Sequence, residues 1–225
     1  KKYFIFKEII KLLNRIKIIK DKRIMNFKKQ SYKIQKYEKK ILFNEAKLFF
    51  NWYLLKKLPK IDCIKFKKKF TKEIKILLSN LSLKNDTFVH RDFHVSNLMY
   101  VNKKIGVLDS QDALIGNKAY DLASLIDDVR FKTSHQLKAK LFNYYMKTNK
   151  KIKLAEFKKD FEILSVLRNL KIIGIFMRLA IRDNKKNYLK LIPYAWEMIN
   201  YRIKKKKMFE NLMVLLKKNF PKSIG

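Results

Sequence analysis

"HRDFHVSNLMYVNKKIGVLDSQDA", residues 90–113, places two short apolar runs, "LMYV" and "IGVL", on either side of "NKK" and surrounds them with three Asp, two His, an Asn and an Arg. Short β-rich runs separated by turn formers predict a hairpin. With its tip at Lys103, Val101 faces Ile105, Leu98 faces Leu108, and Asn97 falls opposite Asp109 at the open end. Antiparallel partners lie about 4.5–5.5 Å apart, so an amide oxygen and a carboxylate there can share one cation. Mg2+ takes hard oxygen ligands and is commonly held by a pair of protein oxygens plus substrate phosphates. Asp92 lies five residues before Asn97, in the loop between the strand "TFVH" (87–90) and the hairpin. A carboxylate beside a metal–phosphate site orients an attacking hydroxyl and accepts its proton. Phosphoryl transfer asks for little besides such positioning and charge neutralisation. The pattern H-x-D-x-x-x-x-N, with an Asp twelve residues on, is therefore a specific signal.

The rest of the chain reads as amphipathic helix at the 3.6 period, over residues 3–19, 41–58 (stopped by Pro59), 65–82, 118–130, 133–147, 154–182, 186–203 and 208–218. Pro193 kinks or begins part of the penultimate helix. The expected class is α+β, mostly α, with a small catalytic β-hairpin, and residues 1–225 form one lobe without linker or repeat. A single cysteine, Cys63, excludes a disulfide framework and fits a reducing cytoplasm. No apolar run reaches the length of a membrane span. The formal charge of +36 invites a nucleic-acid reading. The excess is almost all Lys, however, spread along a chain also rich in Ile, Asn, Phe and Tyr. A/T-rich codons account for that mixture, so no specific nucleic-acid partner is expected.

The kinase catalytic loop H-R-D-x-x-x-x-N shares this spacing, yet a protein kinase fits poorly. "DSQ" stands where D-F-G would, no A-P-E follows, and the helix pattern "AYDLASL" begins too soon after Asp109 for an activation loop. His94 occupies the place of the protein-kinase Lys. A small-molecule kinase needs neither peptide platform nor activation loop.

"FVHRDFHVSNLMY…GVLDSQDALIGNKAYDLASLIDD" resembles the aminoglycoside phosphotransferase / choline kinase family. "LFNEAKLFFNWYL" (42–54) and "LRNLKIIGIFMRLAIRDNKKNYL" (167–189) are similar to its bacterial members that phosphorylate the anomeric hydroxyl of N-acetylmuramate and N-acetylglucosamine in cell-wall recycling. The resemblance implies a sugar kinase using ATP and Mg2+, with Asp92 as catalytic base and Asn97 and Asp109 as metal ligands. By the same resemblance His90 and Arg91 support the loop, and Asp121 buttresses it from the next helix. Asp121 also reads simply as a helix-initiating residue. Gln111 and Asp112 are candidate sugar-hydroxyl contacts, whereas Asp127 and Asp128 read as a solvated helix turn. The sequence departs from the family at Ser110, where Phe is usual, so looser packing behind Asp109 is expected.

Arg168, Lys171, Arg178 and Arg182 share one helical stripe. In so basic a chain a solvated face is the commoner origin of such a stripe. Against that, Arg is scarce here and its planar fork suits carboxylate or phosphate, which makes Arg178 or Arg182 the expected reader of a lactyl carboxylate or a phosphate. A nucleotide lobe needs a Gly-rich loop and a phosphate-gripping Lys strand, but no Gly precedes Gly106. The chain is therefore expected to be the C-terminal lobe alone, with little ATP turnover by itself. Two competing readings are a degenerate, non-catalytic kinase-like module and a basic nucleic-acid-binding helical domain. Intact Asp92, Asn97 and Asp109 argue against the first, and neither explains the polar ends of the hairpin.

Overall fold

Apolar residues at i, i+3, i+4 and i+7 give each long segment one face to bury, and that periodicity sets the architecture. The computed structural model describes residues 2–19, 23–25, 27–102 and 104–224. The helices are α1 (Lys2–Ile16), α2 (Lys39–Ala46), α3 (Lys60–Ser79), α4 (Tyr120–Ile126), α5 (His135–Thr148), α6 (Leu154–Arg182), α7 (Ile192–Ile203) and α8 (Glu210–Asn219). The strands are β1 (Arg23–Met25), β2 (Ser31–Lys33), β3 (Asn85–Val89), β4 (Leu98–Val101), β5 (Lys104–Val107) and β6 (Leu114–Asn117). They form antiparallel pairs β1–β2, β3–β6 and β4–β5. The fold is mostly helical α+β. The chain divides into two compact units, Lys1–Glu38 with Ser82–Phe161, and Lys39–Leu81 with Glu162–Gly225.

In the first unit α1 buries Phe6, Ile9, Ile10 and Leu13, and α5 starts where the Ser134 hydroxyl accepts from the Leu137 N–H at 3.2 Å. Tyr145 of α5 stacks on Phe157 at 5.0 Å between centroids. The β3–β6 pair lay outside the sequence reading, because "LIGN" is short and its partners are distant in sequence. Every residue of β6 is buried. The Tyr37 N–H donates to the Ile115 carbonyl (2.7 Å) and the Ile115 N–H to the Gln35 carbonyl (2.8 Å). Gly116 is required there, since a Cβ would come 2.9 Å from the Tyr37 Cβ. Buried Asp160 accepts from the Ser82 N–H, the Leu83 N–H and the Asn117 amide at 2.9, 2.8 and 2.6 Å, which satisfies a charge that would otherwise oppose folding.

The second unit is organised around Phe49, which contacts Phe66, Phe70, Trp196 and Phe220 with ring centroids 5.5–6.2 Å apart. The helix expected over 41–58 is broken. α2 ends at Ala46, a π turn spans Phe49–Tyr53, and a 3-10 turn covers Leu54–Lys56. The physical reason lies in α6: a Cβ on Gly174 would sit 2.3 Å from the Leu48 carbonyl carbon and 2.6 Å from the Phe49 nitrogen. Two backbones touch at that point. The wide turn then buries Phe49, Phe50 and Tyr53 together, and the Tyr53 hydroxyl accepts from Trp196 Nε1 at 3.2 Å. Pro193 lies in the first turn of α7 and does not kink it, and residues 186–191 form a preceding 3-10 turn.

Gly174→Ala has no room without separating backbone from backbone. The variant is expected to lose about 1–3 kcal/mol of stability, read as a fall of several degrees in Tm. An unchanged melting curve would contradict the close approach.

Candidate functional site

The hairpin forms over the predicted strands but one residue out of the expected register. The expected tip, Lys103, lies outside the described residues. Val101 pairs with Lys104, Tyr100 with Ile105, Met99 with Gly106 and Leu98 with Val107. The pairing is therefore shifted by one residue from the expected register, and Asn102 adopts φ 48°, a left-handed conformation that Asn tolerates. As a result Asn97 faces Leu108, whose N–H donates to the Asn97 carbonyl at 2.9 Å. Asp109 follows one residue further, also left-handed at φ 58°. The ends of the clip are diagonal neighbours, not directly opposed.

The Asn97 amide nitrogen donates to the Asp92 carbonyl at 3.0 Å, so its oxygen is free of that bond and on the side chain's other arm. Asp92 is half-buried and Asp109 is exposed. Among the described residues no three His, Cys, Asp or Glu side chains converge as a metal site. A cation held by Asn97 and Asp109 would complete its shell from ligands outside that pair. Gln111, Asp112 and Ser110 lie exposed on the 3-10 turn that follows Asp109.

The loop carrying Asp92 is pinned at both ends. Asp121, in the first turn of α4, accepts from the His90 N–H at 2.8 Å and the Arg91 N–H at 3.1 Å. His90 is fully buried, and its Nε2 meets the Leu108 carbonyl at 2.8 Å. A carbonyl only accepts, so Nε2 carries the hydrogen. The imidazole thereby ties the loop to the residue before Asp109. Arg91 sits at φ 71°, a conformation rare outside Gly. Its guanidinium donates to the Asp112 carbonyl at 3.2 Å and lies 5.3 Å from the Tyr37 ring centre. At the far end the Val95 N–H donates to Asp128 at 3.1 Å.

Two acids read from sequence as solvated are in fact buried. Asp127 is 0% and Asp128 1% exposed. Asp127 pairs with the equally buried Lys138 at 3.3 Å, while Asp128 holds Val95 and also accepts from the Arg130 N–H at 3.0 Å. The available signal was the spacing: in the helix expected over 118–130 Asp128 falls seven residues from Asp121, on the same face, although α4 itself ends at Ile126.

A further participant, Lys17, went unnoticed in the sequence because it is one lysine among many. Its ammonium donates to the Lys118 carbonyl at 2.6 Å and the Tyr145 hydroxyl at 2.7 Å. Burial pushes its pKa down to about 7, with the nearby Asp121 carboxylate opposing that fall and Lys118 adding to it. Burial raises the Asp121 carboxyl above its ordinary range, and the His90 N–H, Lys17 and the Arg91 N–H pull it back.

In the second unit the arginines differ sharply. Arg182 is exposed and forms a two-pronged pair with neighbouring Asp183, at 2.7 and 3.0 Å. Arg178 is half-buried, and its Nε has no hydrogen-bond partner. Lys171 pairs with Glu45 at 3.0 Å, and Arg168 is 3% exposed. Half of this stripe is thus not the solvated face that composition favours.

Residues 33–154, just over half of the chain, match the phosphotransferase enzyme family, APH. The chain belongs to that family. It is 34% identical over 174 residues to an N-acetylmuramate/N-acetylglucosamine kinase of Neisseria meningitidis serogroup B, covering 75% of this chain and 51% of that protein. A protein of the same name from Pseudomonas aeruginosa is 36% identical over 164 residues, 70% of this chain and 48% of its own length. A third, from Caulobacter vibrioides, is 33% identical over 114 residues, 48% of this chain and 31% of its length. The chain spans about half the length of the curated relatives it matches most extensively.

Lys17 carries a pH signature with a definite sign. Between pH 7 and 10.5 the unfolded chain keeps a proton on this amine that the folded chain has released. The group therefore adds stability as pH rises through that window. The difference in unfolding free energy between the parent and Lys17→Met should shift toward the parent from pH 7 upward. A difference independent of pH would contradict the buried amine.

Proposed function

We propose that this chain is the catalytic and acceptor-binding lobe of an ATP- and Mg2+-dependent kinase that phosphorylates a hydroxyl of an amino sugar, the anomeric one of N-acetylmuramate or N-acetylglucosamine. The observation that carries this reading is the loop of residues 90–95, whose backbone is fixed at both ends by Asp121 and Asp128 with Asp92 between them. Such fixing is what in-line transfer demands, because the nucleophile's base must be in place before reaction. The names of the relatives supply the acceptor.

In this reading Asp92 orients the sugar hydroxyl and takes its proton, while His90 and Arg91 keep the loop in register with the hairpin. Asn97 and Asp109 offer hard oxygens to Mg2+, which when bound would neutralise charge on the phosphates. Gln111 and Asp112 are the proposed hydroxyl contacts, and of the two arginines proposed for an anionic group Arg182 is already paired with Asp183. The fold is that of the C-terminal lobe of a kinase-like protein. Met99, Tyr100, Val101 and Leu108 stand 45–70% exposed along the hairpin, an uncovered apolar strip that a nucleotide and its lobe would cover. ATP as donor and a reduced Cys63 both suit the cytoplasm. No described helix is long and apolar enough to cross a membrane.

The test is phosphoryl transfer from ATP to the two sugars, by this chain and by the same chain joined to a nucleotide lobe. Turnover is expected only from the joined form. Asp92→Asn should lower its kcat by about 100-fold or more, and Asp109→Asn should raise the Mg2+ concentration needed for half-maximal rate. An Asp92→Asn form as fast as its parent would remove the proposed base.

A further inference from the structure

Lys138 stands at a core position of α5. It shares one face with Leu141 and Tyr145, and all three are buried; the lysine is 1% exposed. Its ammonium donates to the Ile126 carbonyl at 2.5 Å and pairs with the Asp127 carboxylate at 3.3 Å. Ile126 is the last residue of α4, so its carbonyl is among those that a helix leaves without an internal partner. A cation there also suits the negative end of the helix dipole.

Asp128 is the next residue after Asp127. Its Oδ2 accepts from the Val95 N–H at 3.1 Å, and its Oδ1 from the Arg130 N–H at 3.0 Å, with the Arg130 guanidinium 3.5 Å away. Val95 lies three residues after Asp92 and opens the 3-10 turn that ends at Asn97. A continuous path of short contacts therefore runs from α5 through the turn at 126–128 to the Asp92 loop, all of it within the first unit.

A buried ion pair is weak support for stability, because apolar side chains of similar volume often serve as well or better. A Met at position 138 would fill the same space. What it could not do is fix the Ile126 carbonyl and the Asp127 carboxylate at once, and with them the direction in which the chain leaves α4. That direction decides where Asp128 meets Val95.

We infer that Lys138 is a positioning residue for phosphoryl transfer, holding the far end of the Asp92 loop in place through Asp128. The inference rests on the phosphotransferase reading of that loop and deepens it. The two ends of the loop are then held differently. Asp121 fixes His90 and Arg91 directly, whereas the Val95 end depends on a side chain from another helix. Nothing in the sequence marks Lys138 among so many lysines; what distinguishes it is burial against the end of α4.

The experiment uses Lys138→Met and the paired variant Asp127→Asn/Lys138→Met, which removes both charges of the pair together. Kinetics are measured on the chain joined to a nucleotide lobe, with N-acetylmuramate and N-acetylglucosamine as acceptors, and amide exchange and Tm on the 225-residue chain. In both variants kcat should fall about 10- to 100-fold, the range of a small misplacement at the reacting centre, while KM for ATP and for the sugar stays within about twofold. Exchange at Val95 should quicken about tenfold, with His90 and Arg91 unchanged. The paired variant should recover the Tm that Lys138→Met loses but not its kcat, whereas a lysine of purely structural value would recover both. Parental kcat and Val95 exchange in the paired variant overturn the assignment. Equal loosening at Val95, His90 and Arg91 also overturns it, as a general loss of packing, and so does failure of both variants to fold. A parent that phosphorylates neither sugar overturns the acceptor reading instead, and exchange at Val95 then decides the role of Lys138 by itself.

Discussion

Everything proposed for the site depends on one buried carboxylate. Asp121 accepts from the two successive backbone N–H groups that precede Asp92, and through His90 the same restraint reaches Leu108 and the hairpin end. Asp121 itself is 1% exposed. A carboxylate so buried is tolerable only with its lone pairs occupied and a cation at hand. Two N–H donors occupy its oxygens, and Lys17, while it holds its proton, adds an attractive charge. Asp121 holds the loop, and Lys17, fixed between Tyr145 and the Lys118 carbonyl, offsets part of the cost of Asp121 only below about pH 7, where the amine keeps its proton.

A second acid completes the frame. Asp128 takes the Val95 N–H while Asp127 beside it neutralises the buried Lys138. Six residues of loop are thus held from one short helix and the turn that ends it. The left-handed Arg91 and Asp109 fit the same picture, since residues in sparsely populated backbone regions persist only when their surroundings fix them. Burial of acids, not the large positive surface charge, is what shapes the site. Most lysines lie on solvated faces, and the few that matter are those drawn inside, Lys17 and Lys138 among them.

Much of this was legible in sequence, unevenly so. α6 runs over the residues its periodicity predicts, and β4 coincides with its apolar run, because both signals are local. The hairpin register was not legible to the residue, because a shift of one position still pairs the two apolar runs, and only the observed pairing of Val101 with Lys104 decides. The break after α2 was hidden because its cause, Gly174, lies far along the chain. β6 was missed for the same reason, its partners being β3 and residues 35–37. Asp92, Asn97 and Asp109 stood out by spacing, and the loop then proved to be anchored around them. Asp127 and Asp128 were misjudged as solvated, since a pair of acids looks like surface until a buried lysine is found opposite.

The most direct measurement of the central claim is amide hydrogen exchange at His90, Arg91 and Val95 in the parent and in Asp121→Asn. An asparagine presents one acceptor where the carboxylate presents two. The account predicts that protection at His90 or Arg91 falls by about tenfold or more while Val95, held by Asp128, keeps its own. Equal protection at all three amides in both proteins would contradict it, and would mean that the loop is held by something other than Asp121.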